Sequence, residues 1–119
     1  MAEHDEQAAL FTWARYVERV RPELALLLAI PNGGLRSKTT AARLQAEGVQ
    51  PGVPDVFLPV ARGGCHGLWL ELKVTGGRLS SAQAQWLAGL RAQGYRALVC
   101  EGWQAAAESI EAYLDARST

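Results

Sequence analysis

"PDVFLPVARGGCHGLWLELK", residues 54–73, places an aspartate behind a proline, a Gly63-Gly64 pair in mid-stretch, and Glu71 and Lys73 inside an otherwise apolar run. The segments on either side of the glycines, 55–60 and 68–74, are rich in branched and aromatic side chains, the composition of two strands joined by a turn. Side chains alternate along a strand, so Trp69, Glu71 and Lys73 share one face and Leu68, Leu70 and Leu72 the other. A turn centred on Gly63 sets Asp55 directly opposite Glu71. Like charges facing each other across a ladder repel, and Lys73 offsets only one of them, so the register asks for a further cation. Oxygen ligands suit magnesium or manganese, which keep bound waters and assist attack on a phosphodiester. The plain alternative is that Asp55 caps a turn while Glu71 and Lys73 lie on a solvated face, as in most E-x-K triplets.

Working outward, residues 4–20 carry Ala8, Phe11, Ala14, Tyr16 and Val17 near helical spacing, which predicts an amphipathic helix with Glu6 in its first turn. "LALLLAIPN", ended by Pro31 and Asn32, is read as a short buried strand. Beyond the "NGG" turn, Ser37 caps a predicted helix running to Gln45 or Ala46, with Gly48 behind it and Lys38 and Arg43 exposed. "LSSAQAQWLAGLRAQG" has Ser80 as N-cap, Trp86, Leu87 and Leu90 on one side, and Gly94 as terminator. "YRALVC" reads as a strand and residues 103–116 as a closing amphipathic helix. The order helix, strand, helix, strand, strand, helix, strand, helix predicts an α/β fold, a mixed sheet with helices able to cover both faces.

At 119 residues with 49% hydrophobic content, the chain fits one compact domain, 1–119. No apolar run approaches a membrane span and the first residues are acidic, so a soluble cytoplasmic protein is expected. Cys65 and Cys100 have neither CxxC spacing nor ligand neighbours, which argues against zinc and for free thiols. Twelve basic residues balance twelve acidic ones, so any case for nucleic acid must be local. His4 and His66 lack partner spacing and read as exposed histidines. Trp13, Trp86 and Trp103 fall on predicted helices at core-like positions, which leaves Trp69, beside Glu71, as the tryptophan of interest.

Gly52-Val53-Pro54-Asp55, the glycine loop, Glu71-Leu72-Lys73 and Ser80-Ser81-Ala82-Gln83 follow one another at compact spacing. "PNGGLRS", "GVPDVFL", "LWLELK" and "GRLSSAQ" together resemble the VRR-NUC branch, the virus-type replication-repair nucleases, of the PD-(D/E)xK nuclease superfamily. The resemblance covers almost the whole chain. It implies a restriction-endonuclease-like core of helix, three strands, helix and strand. It also implies Mg2+ or Mn2+ held by Asp55, Glu71 and the backbone carbonyl of Leu72, with Lys73 as the catalytic lysine. A glutamate from the first helix joins the metal site in similar proteins; Glu6 in "HDEQ" is the matching candidate, with Glu3 and Asp5 in the same acidic turn. Gln83 matches the glutamine that supports the lysine or the phosphate in related nucleases, and Ser80 with Gln83 also has the spacing of a capping box.

Asn32, Gly33, Gly34 and Arg36 match an "NGG-x-R" segment whose arginine is suited to phosphate, with a plain loop as the alternative. Asn32, Arg36, Lys38 and Arg78 are the expected DNA contacts, and Arg43 and Arg62 are further basic neighbours in sequence. The resemblance implies a homodimeric, metal-dependent DNA endonuclease for branched DNA such as four-way (Holliday) junctions. The alternatives are a flap or nicking nuclease using the same residues and a DNA-binding module without cleavage.

Overall fold

A computed structural model of the chain describes residues 2–31 and 38–117, without the side chain of Lys38. Helix α1 spans Glu3–Val17, a 3-10 helix Pro22–Leu26, strand β1 Leu28–Ala29 and helix α2 Lys38–Ala46. They are followed by β2, Val56–Leu58, β3, Leu68–Lys73, α3, Ser81–Ala92, β4, Arg96–Glu101, and α4, Trp103–Asp115. The four strands form one sheet in the order β1-β2-β3-β4, antiparallel except for the parallel β3/β4 pair. A parallel neighbour needs a crossover, and α3 supplies it. This is the mixed α/β architecture that the element order predicts.

The hairpin register is the expected one. Val56 pairs with Leu70, Phe57 with Trp69 and Leu58 with Leu68. One face of the sheet, carrying Val56, Leu58, Leu68, Leu70, Leu72 and Cys100, forms a continuous core with Leu10 and Ala14 of α1 and Ala106, Ile110 and Leu114 of α4. The anchor of α1 is therefore Leu10; Tyr16, expected on the apolar side, is exposed with the Arg19 guanidinium over its ring.

The strand expected in residues 24–32 opens instead as the end of a 3-10 helix, and of its described residues Leu28–Ala29 form the strand paired to β2. Its carbonyls explain the difference. The Arg15 guanidinium donates to the carbonyls of Leu24 at 2.9 Å and Leu27 at 2.7 Å, which a strand would have offered to a neighbour. Pro22 at the start of the turn supplies no N–H to a ladder.

The opposite sheet face carries Trp69, Glu71 and Lys73, and it is not solvated. Glu71 is 2% exposed and Lys73 8% exposed. The first turn of α3 reaches over this row, since Gln83 bonds Glu71. Its start is fixed by the predicted cap: Ser80 Oγ accepts from the Gln83 N–H, and the Ser80 N–H donates to Gln83 Oε1.

Candidate active site

The β2/β3 ladder ends at Val56 and Leu70, one step short of the carboxylates. Continuing the register brings Asp55 beside Glu71 and Pro54 across from Leu72. The Leu72 N–H donates to Asp55 Oδ2 at 2.8 Å, where a backbone carbonyl would otherwise have stood. The N–H and C=O of one strand residue point toward the same neighbour, so the Leu72 carbonyl also faces the β2 side. Pro54, which is buried there, has no N–H to give it. The proline-aspartate pair thus turns a ladder position into one side-chain acceptor and one carbonyl oxygen that Pro54 cannot serve.

Glu71 stands at the centre of the buried row. Its Oε2 accepts from Gln83 Nε2 at 3.1 Å and lies 3.9 Å from Lys73 Nζ. Its Oε1 is buried without a hydrogen-bond partner among the described residues. Burial, then the neighbouring Asp55 carboxylate, push the Glu71 carboxyl up to about 8, while Lys73 pulls the other way without balancing them. The carbonyl oxygen of Gln83 closes the expected capping box, while its amide nitrogen reaches Glu71, a partner the sequence does not assign to it.

A cavity of about 530 Å³ opens beside this row, lined by Glu3, His4, Gln7, Ala29, Ile30, Pro31, Asp55 and Leu72. The α1 carboxylate that faces it is Glu3, whose charge also acts on Glu71. Glu6, the candidate matched from sequence, is engaged elsewhere. Its Oε1 accepts from the Trp103 N–H at 3.0 Å and caps α4, where Gly102 has no side chain to do so. His4, expected to be an exposed histidine without a role, is exposed at the cavity wall; Gln7, one turn after Glu3, was not singled out by any motif.

The outlying expectations divide. Asn32 and Arg36 lie outside the described residues, and Lys38 opens α2. Arg78 is exposed in the β3–α3 loop. Arg62 is paired with Glu23 at 2.8 Å and is committed to the fold rather than free for phosphate. Trp69 does lie on the Glu71 face, stacked on Phe57 with ring centroids 4.1 Å apart.

Among the described residues no group of three or more His, Cys, Asp or Glu side chains gathers as a metal cage. Two carboxylates with a backbone carbonyl nonetheless fit a divalent ion that keeps several of its waters. A cation at that point would give Glu71 Oε1, unpartnered among the described residues, a partner and would take the place of the proton that burial and Asp55 keep on Glu71.

A mixed sheet with an aspartate at the start of one strand and a glutamate and lysine at the end of its neighbour is the arrangement of a PD-(D/E)xK nuclease. Residues 3–104 match the VRR-NUC domain family, and the chain belongs to it. A solved structure described as a VRR_NUC domain protein is similar with a TM-score of 0.84 and 26% identity, over 99% of this chain and 92% of the other. Comparison with curated proteins gives no match.

Proposed function

We propose that the chain is a divalent-metal-dependent DNA endonuclease, selective for branched DNA such as four-way junctions and acting as a homodimer. The observation that supports the metal-dependent chemistry most is the meeting of half-buried Asp55 with buried Glu71, whose Oε1 has no hydrogen-bond partner among the described residues, beside the Leu72 backbone and Lys73. Branched-DNA selectivity and dimerisation rest on the family resemblance.

Asp55, Glu71 and the Leu72 carbonyl would hold Mg2+ or Mn2+, with Glu3 rather than Glu6 as the α1 carboxylate at its open side. The ion would supply Lewis acidity at the phosphoryl oxygen and lower the pKa of water. Gln83 keeps Glu71 oriented through its amide. Lys73, carried on the same strand with its ammonium 3.9 Å from Glu71 Oε2, would orient the attacking water or meet charge developing on the phosphate. Asn32, Arg36, Lys38 and Arg78 would grip backbone phosphates on the approach.

The test is cleavage of matched labelled duplex, flap and four-way-junction DNA by wild type and Glu71→Gln, in magnesium, manganese or chelator. Metal-dependent and Glu71-dependent cutting of the junction above the other substrates is the expected result. Preference for the flap would reassign the substrate, and binding without any cleavage by a folded wild type would overturn the nuclease reading. Lys73→Ala is expected to retain Mn2+ binding by calorimetry while losing cleavage by about 100-fold or more. Undiminished turnover would remove the lysine from the chemistry.

A further inference from the structure

Gly52 lies three residues before Asp55, in the segment that leads into β2. A Cβ at this position would stand 2.7 Å from the carbonyl carbon of Ala82, 2.8 Å from its Cβ and 2.9 Å from its carbonyl oxygen. Two of those three atoms are main chain in the first turn of α3, so they cannot swing aside as the end of a flexible side chain would. The two backbones therefore meet with nothing between them.

The place of this contact gives it meaning. Ala82 immediately precedes Gln83, whose amide holds Glu71 Oε2. Gly52 begins the arm that ends in Asp55, whose Oδ2 receives the Leu72 N–H. The β2/β3 ladder stops at Val56, so strand pairing with β3 does not fix Asp55 itself. From the other side its carbonyl accepts the Ile30 N–H at 2.8 Å. We infer that Gly52 is a positioning residue: its bare backbone, seated on Ala82, holds the Asp55 arm against α3 and so sets the spacing of Asp55 from Glu71. This rests on the nuclease reading for its consequence in catalysis, but the geometry it claims can be measured without it.

The competing explanation is that Gly52 serves its turn alone, because its φ of +89° strains any L side chain. Gly48 separates the two. It lies on the same α2–β2 connection with a φ of +97°, yet a Cβ there meets nothing within 4 Å. Gly48→Ala imposes comparable backbone strain without touching α3. Ala82→Val tests the contact from the opposite side, with no positive φ involved, and serves if Gly52→Ala does not fold.

The experiment compares wild type, Gly52→Ala, Gly48→Ala and Ala82→Val by amide hydrogen exchange at Leu72, Mn2+ calorimetry and DNA cleavage. Gly52→Ala and Ala82→Val are expected to lower Leu72 protection and weaken Mn2+ by roughly tenfold or more, as losses of supporting contacts at metal sites do. Cleavage should fall through kcat. Gly48→Ala should lower the melting temperature yet leave Leu72 exchange, relative to global stability, and Mn2+ affinity as in wild type. If Gly48→Ala and Gly52→Ala change all three readouts in proportion to lost stability, or if Ala82→Val leaves Leu72 exchange unchanged, the inference is wrong. A wild type that neither binds Mn2+ nor cuts DNA would defeat the nuclease reading, while Leu72 exchange would still decide for or against Gly52.

Discussion

Glu71 carries a proton-linked liability that its neighbours create. Its carboxyl titrates near 8 in the folded, metal-free protein against an ordinary value of 4.5, mainly through burial and then through Asp55. Between those values the unfolded chain has released the proton and the folded chain still holds it, so stability falls as pH rises across the window and levels above it. Chemical denaturation in chelator is expected to show a loss on the order of 3 kcal/mol from pH 5 to 8. Glu71→Gln should flatten that slope, and Mg2+ affinity should climb with pH until the proton is gone. The two α1 glutamates separate by the same kind of reasoning. Glu6 caps α4, so Glu6→Ala should lower stability by about 1 kcal/mol. Glu3→Ala should leave stability near wild type and weaken Mn2+ binding instead. A reversal of those two outcomes in paired calorimetry and unfolding would return Glu6 to the metal site. Sequence alone could not make this choice, because Glu3 and Glu6 occupy the same acidic turn and what separates them is the α4 N-terminus, 97 residues away in the chain.

At the scale of elements, the hairpin was legible because its register follows from one turn position and the two-residue alternation of side chains. The α3 start was legible for a similar local reason, Ser80 and Gln83 being three residues apart. What local pattern misses is long-range satisfaction of backbone groups. Arg15 takes the carbonyls of Leu24 and Leu27 where the front of an apolar run winds into a 3-10 helix before Leu28–Ala29 pair, and nothing inside "LALLLAI" announces that. Burial of the Glu71 face was also hidden, since it depends on α3 folding back over β3. Gln83 links the two levels. Ser80→Ala removes only the Oγ half of the capping box and should lower stability by about 1 kcal/mol with little effect on metal. Gln83→Ala also strips Glu71 Oε2 of its donor, so it should lower stability and Mn2+ affinity together. In a cycle with Glu71→Gln the effects on Mn2+ affinity should be non-additive; strict additivity would mean that Gln83 acts as a cap alone.

On the scale of the whole molecule, neutrality shapes what the protein can grip. With twelve basic and twelve acidic residues, attraction to DNA must come from local cations, and the described cavity itself is lined by Glu3 and Asp55. One chain also presents one Asp55–Glu71–Lys73 row, whereas resolving a four-way junction requires cuts in two strands. On the proposed function, a homodimer would answer both needs by doubling the phosphate contacts and bringing two such rows to one branch point. Mixing wild type with excess Glu71→Gln distinguishes this from a monomer. If the pair acts as a unit, mixed dimers cut a single strand and nicked junctions accumulate in proportion to the mutant fraction. If each chain acts alone, the mutant merely competes for junctions and the ratio of nicked to resolved product per turnover follows active enzyme concentration. Sedimentation of the same mixtures would show whether a dimer exists at the concentrations used, so accumulation of nicks without a dimer would place the coupling in the DNA rather than in the protein.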